Sequence, residues 1–270
     1  IGLQRLGASA IWLIAFTLLV YQPAGSQPLE KVLDLEFKPN LFEIDPTGNL
    51  WLSDNNGNVH RFNNKQSLKD VFQPERPMAI SRLDCSQNLR TLLFYKESQS
   101  CLLLNRFLTE SPLYQLPPDA APITQACLSS DNHLWGFNPS NFTLYKININ
   151  SQTIVFSLPL AGILPAESIH FRHMAEYRNR LYVVSPEMGL WVFDRLGNVI
   201  KSFEHINTDW VGFQGNSLYY YHDNKISLVN LLTWQETKID LPDKANPDLV
   251  RLHGNKMYIL LSNQLQIRDL

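Results

Sequence analysis

The chain has 270 residues, with 23 Lys and Arg against 25 Asp and Glu, which gives a formal net charge of −2. A nucleic-acid-binding domain usually carries a basic excess, so the sequence predicts no nucleic-acid partner. Hydrophobic residues make up 44% of the chain and charged residues 18%, a balance typical of a globular protein with a sizeable core.

The first 26 residues have the features of a secretory signal peptide. Arg5 is their only charge, and Ala10–Tyr21 is a 12-residue run that is almost entirely apolar. A membrane-spanning helix needs about 20 such residues. Ala24 and Ser26 place small residues before a cleavage point at Gln27. We predict export to the periplasm, the cell surface or the medium, with no membrane span after cleavage; the alternative is an uncleaved anchor.

The segment Leu41–Asn63 predicts three short strands separated by two tight turns. Apolar residues alternate with polar ones before Pro46, and Leu50–Leu52 is a short apolar run. Both turns contain Gly and Asn, which tolerate a positive φ. A fourth strand follows and stops at Pro74, which cannot donate to a ladder. Four antiparallel strands of this kind form one blade of a β-propeller.

This unit repeats along the chain. Its second strand recurs at intervals of 37 to 47 residues, at Trp51, Leu92, Trp135, Tyr182, Tyr219 and Tyr258. The sixth unit lacks a fourth strand, whereas Val32–Lys38 is a spare strand that resembles the end of a fourth one. We therefore predict an all-β, six-bladed propeller of four-stranded antiparallel blades over residues 27–270, closed by the N-terminal strand. Seven blades, a β-sandwich or an open solenoid are the alternatives.

The three cysteines do not predict a disulfide. Cys85 and Cys101 fall on the first and third strands of the second unit, so one strand separates them. Their Cα atoms are expected about 9–10 Å apart, which is beyond the reach of a disulfide. We expect all three thiols to be free and buried.

No pattern typical of catalysis or cofactor binding is present in the sequence. It contains no phosphate-binding glycine loop, no nucleophile elbow and no metal-ligand spacing, so we predict a protein that is not an enzyme and has no cofactor. The inner strands nevertheless place polar residues at the predicted channel. These candidates are Glu43, Arg82, Gln125, Arg172, Asp209 and Arg251. They either pair with one another or bind an acidic group.

Four aromatic residues are less readily assigned to the repeat-aligned core than the others. They are Trp210, Tyr220, Tyr221 and Trp234. Because exposed aromatic residues are enriched in binding surfaces, these four are our candidate contacts for a partner.

The segment Asp45–Phe62 resembles NHL repeats and the related propeller repeats of two-component regulators. It has an acidic turn with Gly, an apolar-aromatic strand, an Asp/Asn turn with Gly, and a strand ending in Phe. The resemblance implies a propeller with a binding or scaffolding role. We predict a non-catalytic interaction module of the bacterial cell envelope, or an accessory subunit of an envelope complex, with a protein partner. The alternative is a glycosidase- or lactonase-like hydrolase that uses the channel.

Overall fold

The predicted fold is confirmed. In the computed structural model, which describes residues 29–164, 170–241 and 246–270, the chain forms six sheets of four antiparallel strands each. The sheets follow one another around a ring, as in a six-bladed β-propeller. The predicted signal peptide lies outside the described residues. Within the described ranges, no helix has the length and apolar character needed to cross a membrane.

Each of the first five blades is built from four consecutive strands. In chain order the strands are β1 Leu29–Asp34, β2 Leu41–Ile44, β3 Leu50–Ser53, β4 Val59–Phe62, β5 Leu68–Phe72, β6 Arg82–Gln87, β7 Arg90–Tyr95, β8 Ser100–Asn105, β9 Tyr114–Gln115, β10 Gln125–Leu128, β11 His133–Asn138, β12 Thr143–Asn148, β13 Thr153–Pro159, β14 His173–Tyr177, β15 Arg180–Ser185, β16 Gly189–Phe193, β17 Val199–Phe203, β18 Gly212–Gln214, β19 Ser217–His222, β20 Lys225–Asn230, β21 Glu236–Asp240, β22 Leu249–His253, β23 Lys256–Leu261 and β24 Gln264–Asp269. A 3-10 turn, Pro118–Ala120, lies in a loop between blades two and three.

The N-terminal strand completes the sixth blade, as predicted. β1 pairs antiparallel with β24, with Leu33 opposite Leu265 and Asp34 opposite Gln264. The Leu35 N–H extends the ladder by donating to the Asn263 carbonyl at 2.8 Å. The strand runs from Leu29 to Asp34, whereas the sequence placed it at Val32–Lys38. β1 covers the outer edge of β24, so the sixth blade has four strands like the other five.

Three of the tight turns are shaped by aspartate side chains that accept hydrogen bonds from the backbone of their own turn. Asp54 Oδ1 accepts the N–H groups of Asn56 at 2.9 Å and Asn58 at 3.0 Å, an Asx turn. Asp45 and Asp194 make the same pair of bonds in their turns. Gly57 has a φ of 84°, and a Cβ there would lie 2.2 Å from the Met78 carbonyl oxygen. The Asp-x-x-Gly-Asn spacing therefore indicates hairpin turns in this protein rather than a calcium loop.

The core lies between neighbouring blades. The repeat-aligned residues of the second strands are all buried, from 0% exposed at Leu92 and Tyr182 to 4% at Tyr219. The three cysteines are buried and free, as expected. Hydrogen bonds also connect neighbouring blades. For example, Asp84 Oδ2 in blade two accepts the Leu128 N–H of blade three at 2.8 Å.

Glu176 forms several hydrogen bonds between two neighbouring blades. Its carboxylate accepts hydrogen bonds from Ser129 Oγ at 2.6 Å, the Ser130 N–H at 2.9 Å and Trp135 Nε1 at 2.7 Å. Burial opposes ionisation of this carboxyl, but these donors outweigh it and lower its pKa. Glu176 therefore connects blade four to blade three as a carboxylate.

Candidate functional site: the channel and its mouth

Three of the predicted channel residues meet at the centre of the ring. Glu43 Oε1 accepts hydrogen bonds from Arg82 Nη1 at 3.2 Å and from Arg251 Nη2 at 3.4 Å. These side chains come from the inner strands of blades one, two and six. Their exposure is small, 15% for Glu43, 12% for Arg82 and 6% for Arg251. One carboxylate thus neutralises one of two guanidinium groups, which leaves the centre with one net positive charge.

His173, on the inner strand of blade four, extends this cluster. Arg82 Nη1 lies 3.3 Å from His173 Nδ1. Because a guanidinium only donates, Nδ1 must accept and the ring proton lies on Nε2. Burial, together with the positive charges of Arg82 and Arg251, holds the pKa of His173 well below its ordinary value. The imidazole is therefore neutral, and its basic nitrogen is already engaged.

Trp210 closes the cluster from blade five. Its Nε1 donates to Glu43 Oε1 at 3.0 Å, and the Arg251 guanidinium lies 3.5 Å from its ring centroid. The indole fits because Gly212 has no side chain. A Cβ at Gly212 would lie 2.2 Å from Trp210 Cη2 and 2.6 Å from Tyr219 Cζ. We term the cluster the central network; its members are Glu43, Arg82, His173, Trp210 and Arg251.

The central network separates two cavities. Trp210 and Arg251 line both of them. One, of about 380 Å³, lies beyond the carboxyl ends of the inner strands and includes Asp45, Asp84 and Glu176 in its walls. Asp45 and Glu176 have lowered pKa values because hydrogen-bond donors outweigh the effect of burial. Among the described residues, no group of three or more His, Cys, Asp or Glu is placed to hold a metal ion.

The other cavity is a groove of about 750 Å³ at the opposite mouth, between blades five and six. We term it the mouth groove. Its walls carry three carboxylates, from Asp209, Asp223 and Asp248, together with the aromatic rings of Trp210 and Tyr221. The side chains of Asp209 and Asp223 are 83% and 85% exposed. Asp248 accepts the Ser262 N–H at 2.6 Å. The groove thus combines accessible negative charge with aromatic surface.

The remaining predicted channel residues lie outside the central network. Arg172 and Asp209 are exposed and face each other at 3.9 Å, before the inner strands of blades four and five. Gln125 is half-buried on β10. We predicted that the polar channel residues either pair with one another or bind an acidic group. Glu43, Arg82 and Arg251 pair with one another.

The four candidate contact aromatics do not form one patch. Trp210 and Tyr221 line the mouth groove, but Tyr220 is 5% exposed and its hydroxyl donates to Glu236 at 2.8 Å. Trp234 is half-buried, with its ring centroid 5.5 Å from that of Phe203. Alternation on β19 explains the split, because Tyr220 and Tyr221 are neighbours and point to opposite faces of the sheet. Tyr220 is therefore corrected from a candidate contact to a core residue.

Sequence reasoning missed Asp223 and Asp248 of the mouth groove. Both lie in loops that join strands, where the strand period gives no information on direction. The positions of these two residues in the repeat could have indicated the groove. Asp223 precedes β20, the third strand of its blade, and Asp248 precedes β22, the first strand of the next blade. Loops before the first and third strands of a blade lie on the same face of a propeller. His173 lies on an inner strand, but its partner Arg82 is 91 positions away in the chain, so no local pattern connects the two.

No protein-family profile matches the chain, and no curated protein matches it in sequence. Its fold resembles solved propellers. A virginiamycin B lyase from Staphylococcus aureus superposes with a TM-score of 0.62 at 12% identity, over 89% of this chain and 99% of that one. A protein of unknown function from Bacteroides thetaiotaomicron gives 0.64 at 10% identity, over 90% and 73%.

The similar structures also include proteins that are not lyases. The Cps50 (Swd1) propeller domain of Myceliophteria thermophila gives a TM-score of 0.59 at 12% identity, over 90% of this chain and 99% of that one. At such low identity these similarities establish the fold alone, which hosts both enzymes and binding modules. The chain is thus a six-bladed propeller whose function has to be argued from its own residues.

Proposed function

We propose that the protein is a non-catalytic binding module whose partner docks in the mouth groove. The observation that carries the proposal is the position of the accessible polar and aromatic groups. Asp209 and Asp223 are exposed at the groove, and Tyr221 and Trp210 stand beside them. A cavity of about 750 Å³ is within the size range of ligand pockets. The resemblance to NHL repeats supports the same role.

The charges of the groove favour a basic partner segment. The contacts of Asp209 with Arg172 at 3.9 Å and of Asp223 with His222 at 3.2 Å are solvent-exposed, and such pairs contribute little to stability. An incoming Lys or Arg can therefore replace them at small cost. Aromatic side chains next to the carboxylates would supply the apolar contact area that dominates binding hot spots.

The chemistry of the central network supports the absence of catalysis. Glu43 Oε1 takes three donors, and His173 Nδ1 is engaged by Arg82. A general base needs a free lone pair within reach of the substrate. At the centre of the ring, Glu43 Oε1 and His173 Nδ1 instead accept hydrogen bonds that link different blades.

Site-specific photo-crosslinking in the source cells tests this proposal. A benzoyl-phenylalanine at Asp223 should capture a discrete protein, and the same residue at Leu196, which is 74% exposed on another blade, should not. Asp209→Lys in the crosslinking background should abolish the product. Equal capture from both positions, or capture that survives Asp209→Lys, would refute docking at the mouth groove.

The runner-up function is a hydrolase or lyase that uses the cavity of about 380 Å³. The observation that favours it is the set of carboxylates in its wall, from Glu43, Asp45, Asp84 and Glu176. Paired carboxylates are the machinery of glycoside hydrolysis. The test is a screen of the purified protein against glycosides, lactones and esters, with divalent metals supplied. Turnover that disappears in Glu43→Ala while that variant remains folded would establish the enzyme and overturn the binding proposal.

We further propose that the protein is exported and acts in the cell envelope. The support is the apolar run that precedes Ala24 and Ser26. N-terminal sequencing of the native protein should find a mature start near Gln27. A native protein that retains residues 1–26 would contradict cleavage.

A further inference from the structure

A second surface, remote from the mouth groove, carries charge of the opposite sign. It is a cleft of about 480 Å³ between blades one and two, on the face that bears the β2–β3 and β6–β7 turns. We term it the basic cleft. Its walls include four cationic side chains, from Arg61, Lys69, Arg90 and Arg106, and two carboxylates, from Asp45 and Asp70.

Both carboxylates of the basic cleft already have hydrogen-bond or ion-pair partners. Asp45 accepts bonds from Thr47, Asn49 and Trp51 Nε1, all at 2.7 to 3.0 Å. Asp70 pairs with Arg61, which lies opposite it on the neighbouring strand. Neither carboxylate therefore forms an ion pair with the other cations of the cleft.

Three cations remain without a carboxylate partner in the part of the chain that the structure describes. Arg90 donates to the neutral amides of Gln87 at 2.8 Å and Asn132 at 2.5 Å. The Arg106 guanidinium lies 4.6 Å from the ring centroid of Phe107. Lys69 is exposed on β5. Arg61 and Asp70 cancel each other, and Asp45 offsets one of the other three cations. The cleft therefore carries a net charge of about +2, on a chain whose net charge is −2.

Arg61 makes the cleft a built feature rather than a group of mobile surface cations. It is 4% exposed, and its guanidinium lies 5.2 Å from the ring centroid of Trp51. Nη1 donates to the Arg106 carbonyl at 2.7 Å, which holds the backbone of the loop that presents Phe107. Its buried Nε finds no partner among the described residues. The Arg61 guanidinium is thus fixed in the cleft wall by the protein itself.

Large apolar side chains flank these charges. Phe107 is 68% exposed in the loop after β8, and Leu89 is 73% exposed in the turn between β6 and β7. Local hydrogen bonds hold both loops. The Phe107 N–H donates to Asn105 Oδ1 at 2.8 Å, and Arg90 Nε donates to Gln87 Oε1 at 2.8 Å across the β6–β7 turn. Exposed Phe beside Arg is the composition of a binding surface.

From this charge complementarity we infer that the basic cleft binds an acidic peptide segment that carries an apolar side chain. The carboxylates of the peptide form ion pairs with Lys69, Arg90 and Arg106, and its apolar residue packs on Phe107. A protein segment fits better than a nucleic acid. The positive charge is confined to one cleft with apolar flanks, whereas a nucleic-acid surface follows a long backbone with an overall basic excess. Binding at the basic cleft is independent of docking at the mouth groove.

The test measures binding of short fluorescein-labelled peptides to the full chain by fluorescence anisotropy. The probe alternates Glu with Leu and Phe; one control has Lys in place of Glu, and a second has Ser in place of Leu and Phe. Only the first should bind saturably. Raising the salt concentration from about 0.1 M to about 1 M shortens the Debye length from about 10 Å to about 3 Å and should weaken that binding.

Variants then assign the binding to the cleft. The double change Lys69→Glu and Arg106→Glu should weaken binding about tenfold, and Phe107→Ala about thirtyfold, as for a typical hot spot. Matched controls on blade four, Lys201→Glu and Leu196→Ala, should leave it unchanged. All these side chains are exposed, so the thermal midpoint of each variant should equal that of the wild type.

Three outcomes overturn the inference: no saturable binding of the acidic peptide, affinity unchanged by the cleft variants, or a single-stranded DNA of equal charge binding as tightly as the peptide. None of these outcomes alters the expected crosslink at Asp223, which tests the mouth groove separately.

Discussion

Trp210 donates a hydrogen bond of 3.0 Å to Glu43 across the centre of the ring, although 167 positions separate the two residues in the chain. The same Glu43 oxygen accepts bonds from Arg82 and Arg251, so one carboxylate connects blades one, two, five and six. Blades of a propeller otherwise contact mainly their neighbours. This carboxylate therefore links blades across the ring, and two of its donors, Trp210 and Arg251, line both cavities.

Replacing Glu43 should destabilise the ring more than replacing its indole donor. Trp210→Phe keeps an aromatic ring and removes one hydrogen bond, which typically costs about 1 kcal/mol. Glu43→Gln leaves two largely buried guanidinium groups without a counter-charge, and breaking such a pair costs about 3 kcal/mol or more. Urea unfolding at neutral pH measures both values. Trp234→Phe is the matched aromatic control. Equal losses for the two test variants would contradict the role of charge.

Gly212→Ala should destabilise the protein through its contact with the Trp210 indole. The added Cβ would lie 2.2 Å from Cη2, so the indole must move. Overpacking of this kind typically costs about 1–3 kcal/mol. Trp210→Phe removes Cη2 but leaves the contact of the added Cβ with Tyr219 Cζ, so the loss in the double variant should be smaller than the sum of the two single losses without vanishing. A strictly additive double-variant cycle would show that the two sites do not interact.

Stability should fall on acidification below about pH 6.5, the ordinary pKa of an unfolded histidine. The folded state keeps His173 neutral because burial and the charges of Arg82 and Arg251 lower its pKa. The unfolded chain therefore binds the proton first, at a cost of up to about 1.4 kcal/mol per pH unit. Unfolding by urea between pH 7 and pH 5 measures the slope.

His173→Gln should flatten that slope. His60, whose pKa is also lowered by burial, is the control, and His60→Gln should retain most of the slope because its ring is half-buried. If both variants kept the full slope, or if only His60→Gln abolished it, protonation of His173 would not be the cause.

Closure by β1 should be essential for the stability of the whole ring. Leu35 is 4% exposed just after the strand, and replacing such a buried Leu by Ala costs about 2–5 kcal/mol. Val32, which is 39% exposed on β1, is the control, and Val32→Ala should change stability by less than about 0.5 kcal/mol. Removing residues 29–38 should lower the thermal midpoint strongly, because it uncovers the edge of β24. A shortened protein with an unchanged midpoint would contradict closure.

Local signals in the sequence were enough to define the blade. They are the alternation of apolar residues, the Asp-x-x-Gly-Asn turns and the proline ends of the fourth strands, because strand direction and turn type depend on a few adjacent residues. Counting these signals predicted six blades, the closing strand and the free cysteines, including the fact that Cys85 and Cys101 lie on the first and third strands of one sheet. The boundaries of β1 were the least accurate part of this prediction.

Which polar residues meet depends on the tertiary structure alone. Glu43 and Arg251 stand on strands whose sequences give no hint of each other, and they come together because closing the ring brings the first and last blades into contact. Tyr220 and Tyr221 are chemically alike, yet one is buried and the other lines the mouth groove, because the pleat points them to opposite faces. The basic cleft is likewise assembled from loops of two blades, and its charge depends on which carboxylates are already paired.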